Sequence, residues 1–367
     1  MNMLAKFSVA NYMGFPEKIT WDLSSPRAYN FNPHLIKDGI VKNGIIYGDN
    51  GSGKTSLGKA IFDIVSLVGS SRPTDYSASI YQGATNSLMD FEYTFKFGGE
   101  IVNYSYSKDY RGQLIKESLY KQEECIFMKD DKNLYISPEF AVDAAMKKQL
   151  LESSNAVSIA RFIRGSYPLT KEHCIEKLMD FVGSMLWFRC LDETNFIGID
   201  AGVVFIEDYI IRHGYVEEFE KFLASESKQN FDFSPTRPEH KNLYCKIGDS
   251  SVPFISVRST GTTSLELLFY WICRMKEANI RFVFIDEFDA FYHFELSINV
   301  CSTLFREGFQ AFMTSHNTML LGNDFLRPDC GFYIRGGKID AMCDCTDRGE
   351  IRQGHNIEKM YRAGAFN

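Results

Sequence analysis

Residues Gly48 to Thr55 read Gly-Asp-Asn-Gly-Ser-Gly-Lys-Thr and fit the pattern G-x-x-x-x-G-K-[ST] at every fixed position. In front of them stands Gly44-Ile45-Ile46-Tyr47, an apolar run short enough for a buried strand. Behind them, Ser56 to Val65 carries apolar side chains at helical spacing. Strand, glycine-rich loop and helix form the context in which this pattern cradles phosphate. The glycines let the backbone curl so that successive N–H groups face an anion, and the helix N-terminus adds its positive dipole end. The expected nucleotide contacts are Gly48, Asn50, Gly51, Ser52, Gly53, Lys54, Thr55 and Ser56. Lys54 is placed to reach the β- and γ-phosphates, and the Thr55 hydroxyl to ligate Mg²⁺. A plain Gly-Ser turn before an ordinary helix is the alternative, and it would not call for both flanks.

A second apolar run, Arg281-Phe-Val-Phe-Ile-Asp286-Glu287, ends in two acids. At the C-terminal edge of a strand, the Asp286 carboxylate can hold Mg²⁺ and Glu287 can act as the base that polarises an attacking water. Phe309 to Ser315 is a further short strand, ending at His316, whose imidazole can hydrogen-bond a γ-phosphate or that water. Ser256 to Ser264 gathers small hydroxyl residues around Gly261 ahead of a strong helix from Leu265 to Lys276. That is either an ordinary N-cap or a second anion site built on Ser259 and Gly261. One chain with one phosphate loop has use for a second anion site only if it faces another subunit's nucleotide.

Of the 367 residues, 45% are hydrophobic and 24% charged, as in a globular chain with a sizeable core. The net charge of −7, from 40 basic and 47 acidic residues, argues against a broadly basic nucleic-acid surface but leaves room for a local patch. Nine cysteines, an odd number without a secretory signal, point to reduced thiols in a cytoplasmic protein. The longest apolar stretch, Leu265 to Met275, is too short to span a bilayer.

Taken in order, strands are expected at residues 3–9 and 19–23, with a loop at 24–40. After a polar stretch at 66–88, Phe91 to Phe97 and Ile101 to Tyr106 alternate around Gly98-Gly99 as a hairpin. Runs near 123–128 and 133–136 extend it into an antiparallel meander. Helices are expected at Phe140 to Leu151, Lys171 to Trp187 and Val203 to Leu223. Residues 226–240 read as a linker, and strands resume at 243–247 and 252–257. No sustained heptad pattern is present, so no long coiled coil is expected.

Together these pieces resemble the ABC-type ATPase heads of the SMC and OLD group, specifically the bacterial AAA15/AAA21-like proteins, over nearly the whole chain. Asn11-Tyr12-Met13-Gly14-Phe15 is similar to the family's N-terminal N-F-x-x-F. Ser259-Thr260-Gly261-Thr262 stands where the family has its signature, with Thr260 for the first Gly and Thr262 for Gln. Asp286-Glu287 and Thr314-Ser315-His316 match Walker B and the switch histidine, although Phe288 replaces the usual Pro. His293 falls where these proteins often carry Leu-His, and Arg352 to Gly364 is similar to a tail common in the group. Gln149 and Gln82 are the candidates for the Q-loop glutamine.

The resemblance implies an α/β P-loop NTPase with an ABC-type head: a mixed central sheet, an N-terminal antiparallel β meander and a helical insertion. The corresponding division is an N-terminal lobe at 1–138, a helical insertion at 139–240 and a C-terminal lobe at 241–367. It implies an ATPase that uses Mg²⁺ and forms a homodimer or higher homo-oligomer around ATP, each site joining one phosphate loop to the other subunit's signature. Many relatives control a nuclease or toxin encoded nearby in anti-phage defence, so an effector partner is expected. Nucleic acid is a possible ligand and no membrane partner is expected. Two other functions stay open: an SMC-like DNA-repair or DNA-binding ATPase, and a nucleotide-gated scaffold with little turnover.

Overall fold

The computed structural model describes residues 1–69, 88–152, 157–189, 192–198, 205–290, 294–346 and 351–366. From the N-terminus, β1 (Asn2–Ala10), β2 (Ile19–Asp22), the short pair β3 (Ile36–Lys37) and β4 (Ile40–Val41), and β5 (Asn43–Tyr47) lead into α1 (Lys54–Val68). There follow β6 (Leu88–Phe97), β7 (Glu100–Asp109), β8 (Leu114–Lys121), β9 (Glu124–Lys129) and β10 (Leu134–Ile136). Helices α2 (Ala144–Glu152), α3 (Ile159–Ser166) and α4 (Cys174–Gly183) precede β11 (Met185–Arg189) and β12 (Asp192–Gly198). Next come α5 (Ile206–Arg212), α6 (Val216–Ser227), β13 (Tyr244–Ile247), β14 (Ser250–Pro253) and α7 (Thr260–Glu277). The chain continues through β15 (Phe282–Asp286), α8 (Phe294–Arg306), β16 (Gln310–Thr314), β17 (Gly331–Arg335), β18 (Lys338–Ala341) and α9 (Ile357–Arg362).

Among the described residues, two seven-stranded sheets carry the fold. One is antiparallel in the order β10-β9-β8-β7-β6-β1-β2. Its strands alternate as a sheet with one buried face should: in β6, Met89, Phe91, Tyr93, Phe95 and Phe97 are buried while Glu92 is exposed. The other is mixed, in the order β12-β11-β15-β16-β5-β17-β18. Its inner strands β11, β15, β16, β5 and β17 run parallel, and β12 and β18 close the edges antiparallel. The strands β5, β15 and β16 are buried along their whole length, which is why they read as continuous apolar runs rather than alternations. The fold is thus α/β with a mixed central sheet and an N-terminal antiparallel meander, as expected.

Helix α1 lies between the sheets. It packs on β11 and β15 of the mixed sheet. The Tyr93 hydroxyl donates to the Ala60 and Ile61 carbonyls at 3.1 and 3.2 Å from the meander side. Trp21 of β2 packs edge-on against Phe312 and Phe332 of the mixed sheet. Gln310 stitches β16 to β1: its side chain accepts from the Leu4 N–H and donates to the Leu4 carbonyl, both at 2.9 Å.

The structure corrects several sequence expectations. The helix expected over Lys171 to Trp187 ends at Gly183, and Met185–Arg189 is instead a parallel strand beside β15. Burial explains the error, because Met185, Leu186, Trp187 and Phe188 are all buried and an apolar run of that length carries no period. The span 139–240, expected to be helical, therefore contributes two strands to the central sheet. The meander holds one strand more than expected, β8. The expected strand at 252–257 stops at Pro253, and a turn of 3₁₀ helix occupies Phe254–Ser256. The helix expected from Val203 to Leu223 is two helices, broken at His213 to Tyr215, and its first residues lie outside the described ones.

Candidate nucleotide site

The loop after β5 curls as the sequence demands. Gly53 sits at φ +105 as the N-cap of α1, and a Cβ there would lie 2.9 Å from the Phe15 ring. At Gly48 a Cβ would meet Ser52 Oγ at 2.5 Å and the Ile334 carbonyl oxygen at 2.6 Å. Both positions therefore require glycine, one for its backbone and the other for space. Phe15 closes a tight turn in which the Tyr12 and Phe15 amides donate to each other's carbonyls at 3.1 and 2.8 Å. The Asn11 to Phe15 segment is a wedge that seats the phosphate loop.

Lys54 is buried, and its ammonium donates to the Gly48 and Asp49 carbonyls at 2.7 and 3.0 Å. Desolvation pulls its pKa below the usual lysine value, partly offset by Asp286, Asp49 and Glu287 nearby. Thr55 Oγ1 donates to Asp286 Oδ2 at 2.7 Å. Asp286, at the end of β15, is fully buried, and its other oxygen accepts from Thr314 Oγ1 at 2.8 Å. Burial raises the Asp286 carboxyl above the ordinary value, and the Thr55 and Thr314 hydroxyls pull it partly back. The two sequence-distant halves of the expected Mg²⁺ site, Thr55 and Asp286, are thus in contact. Their donor set of hydroxyl and carboxylate oxygens suits a hard cation. Ser52 Oγ is buried without a hydrogen-bond partner, and it points to an anion seat in the loop.

Glu287 follows with a left-handed backbone, φ +50, and its N–H donates to Thr314 Oγ1 at 2.8 Å. Thr314 thereby joins both acids to the end of β16. A non-glycine residue in this region costs on the order of 1–3 kcal/mol and is characteristic of functional sites. The Glu287 carboxylate meets Arg189, the last residue of β11, with Nε at 3.0 Å and Nη2 at 2.7 Å from Oε2. Arg189 is not readily legible in the sequence, where the segment reads as the end of a helix. The signal was the run Met-Leu-Trp-Phe followed by a charged residue, the same form as the strand that ends at Asp286.

His316 stands exposed just beyond β16. The segment around it is held by Asp289, whose Oδ2 accepts from Ser315 Oγ at 2.6 Å and from the Asn317 N–H at 3.1 Å. The tail supports the same segment: Thr318 Oγ1 donates to Glu358 Oε1 at 3.1 Å and accepts from Arg362 Nη2 at 3.1 Å. Tyr361 packs against Tyr47 and Tyr333. Neither Asp289 nor this tail contact was singled out in the sequence.

Ser259 and Gly261 form a separate cluster. Ser259 is the N-cap of α7, accepting from the Thr262 N–H at 3.2 Å. Thr262 Oγ1 lies 2.8 Å from Ser259 Oγ and donates to Gln229 Oε1 at 2.9 Å. Arg258 pairs with buried Glu266 and, at 3.5 Å, with Glu207. These contacts run to α5, α7 and the 226–240 segment, and none of them reaches the phosphate loop. Gln149 is exposed on α2, whereas Gln82 and His293 lie outside the described residues. Among the described residues no helix is long and apolar enough to cross a membrane.

The chain matches no family model and no curated protein. Among solved structures it is similar to an SMC head domain from Thermotoga maritima, at 14% identity and a TM-score of 0.45 over 92% of this chain and 97% of that one. It is similar at the same identity and TM-score to an SMC head bound to the C-winged helix domain of ScpA, over 92% and 96% of the two chains. A third likeness, at 14% identity and a TM-score of 0.43 over 93% and 96%, is to an SMC head domain with an extended coiled coil bound to the C-terminal domain of ScpA derived from Pyrococcus furiosus.

Proposed function

We propose that the chain is an ATPase of the ABC type that binds Mg²⁺ and ATP at Gly48–Ser56 and hydrolyses ATP with Glu287 as base. The observation that carries this reading is the 2.7 Å contact of Thr55 Oγ1 with Asp286, which joins the loop's hydroxyl to the acid at the end of β15. Lys54 and the N–H groups that open α1 would bind and orient the phosphates, since the first N–H groups of a helix have no partners within it. Thr55 and Asp286 would hold Mg²⁺, which when bound offsets charge on the phosphate oxygens. Glu287 would take the proton of the attacking water, and exposed His316 would hydrogen-bond the γ-phosphate from the next strand. Ser259 and Gly261 would meet the nucleotide of a second copy, making ATP the link in a homodimer. Assembly and release of that dimer would control a protein effector, in keeping with a role in defence against phage.

The test is phosphate release by purified protein with Mg²⁺ and ATP, beside Glu287→Gln. The variant is expected to keep its ATP affinity and to hydrolyse roughly 10²–10⁴ times more slowly. Turnover within about threefold of wild type would remove Glu287 from the role of base.

A further inference from the structure

We infer that Arg189 is a positioning residue that holds the Glu287 carboxylate in its working orientation. Arg189 ends β11 in register with Asp286, so strand pairing brings the guanidinium alongside the paired acids. Two of its nitrogens converge on one oxygen, Oε2 of Glu287, at 3.0 and 2.7 Å. The two side chains are 34% and 30% exposed, so the contact is at the rim of the site rather than free in solvent. A partly exposed ion pair contributes little to stability. Yet this one sits on a residue whose backbone is already fixed by its left-handed conformation and by Thr314. Backbone and side chain are thus tethered from the two strands that flank β15: Thr314 on β16 holds the amide, and Arg189 on β11 holds the carboxylate.

A base displaced by about 1 Å from its water can lose on the order of 10²-fold in rate. The inference rests on the reading of Glu287 as the base, and its test separates the two. Steady-state ATP hydrolysis is measured for wild type, Arg189→Ala, Arg189→Lys, Glu287→Gln and the double variant Arg189→Ala/Glu287→Gln. Arg189→Ala is expected to lower kcat about 10–100-fold with KM for ATP changed less than about twofold. Arg189→Lys should recover part of the loss, because it keeps the charge without the fork. In the Glu287→Gln background, removing Arg189 should cost less than about threefold more, since the carboxylate it orients is gone. A merely structural role would lower the unfolding midpoint and multiply the losses in the double variant. Unchanged or faster turnover by Arg189→Ala, or multiplied losses, overturns the inference while leaving the ATPase reading intact. Wild-type protein without turnover overturns both. Should Arg189→Ala not fold, Arg189→Gln replaces it, with the same outcomes deciding.

Discussion

The ammonium of Lys108 and the carboxylate of Asp63 meet at 2.6 Å with side-chain exposures of only 4% and 2%, one on the meander and the other on the phosphate-loop helix. The Tyr106 hydroxyl donates to the same Asp63 oxygen at 2.8 Å. Removing one partner of so deeply buried a pair strands a charge. Lys108→Met is therefore expected to destabilise the protein by about 3–5 kcal/mol, whereas Asp63→Leu together with Lys108→Met should be far milder. Urea unfolding of the two variants checks the contrast.

Lys54→Ala removes the buried ammonium that lies 2.7 Å from the Gly48 carbonyl. It should abolish ATP binding in titration calorimetry, because a charge-assisted contact to phosphate is lost at the centre of the loop. Unchanged affinity would displace the nucleotide site from this loop.

Asp286 offers a pH signature. Burial raises its carboxyl in the folded state above the unfolded value. A raised carboxylate leaves the folded state unpenalised below the ordinary carboxylate range and penalised once pH climbs through the raised value. Asp286→Asn keeps the size and removes the charge. Its unfolding midpoint should exceed wild type at pH 7, and the gap should close toward pH 3, even as Mg²⁺-dependent activity is lost. A gap that widens toward acid would contradict the sign.

The proposed site at Ser259 and Gly261 calls for a mixing experiment. Gly261→Asp should bind ATP almost normally but hydrolyse it slowly, because a carboxylate would face a partner's phosphates. Combined with Lys54→Ala, the intact loop of one chain would meet the intact Ser259–Thr262 segment of the other in the proposed dimer, so one site of each heterodimer should regain activity. Activity no greater than the sum of the two variants would argue against a site shared between subunits or mean that both sites must fire together.

Much of this was legible because local physics and position agree. The Gly48–Thr55 loop needs its glycines wherever it stands, and the strands ending at Tyr47 and Asp286 are apolar because both their faces are covered. What escaped was whatever depends on neighbours in space. Met185–Arg189 is a strand only because β15 lies beside it, so Arg189 could not be placed near Glu287 from the sequence. Thr314 was noticed only as part of a motif, yet it bonds to Asp286 through its side chain and receives the Glu287 N–H. Phe15 shows its purpose only when its ring is found against Gly53.

The strand that launches the phosphate loop has a history in time as well as a place in space. Its pairing partners β16 and β17 come from the far end of the chain; Asn43 meets Ala311 across 268 residues. During synthesis β5 leaves the ribosome long before either neighbour exists. At roughly 5–20 residues per second that leaves it without its sheet for about 13–54 seconds. Its two apolar faces must be sheltered meanwhile by the early meander or by a chaperone, and nucleotide has no finished seat until the last third of the chain has emerged. Newly made protein should therefore gain ATP binding late and abruptly, in step with the arrival of β17 rather than of the loop itself.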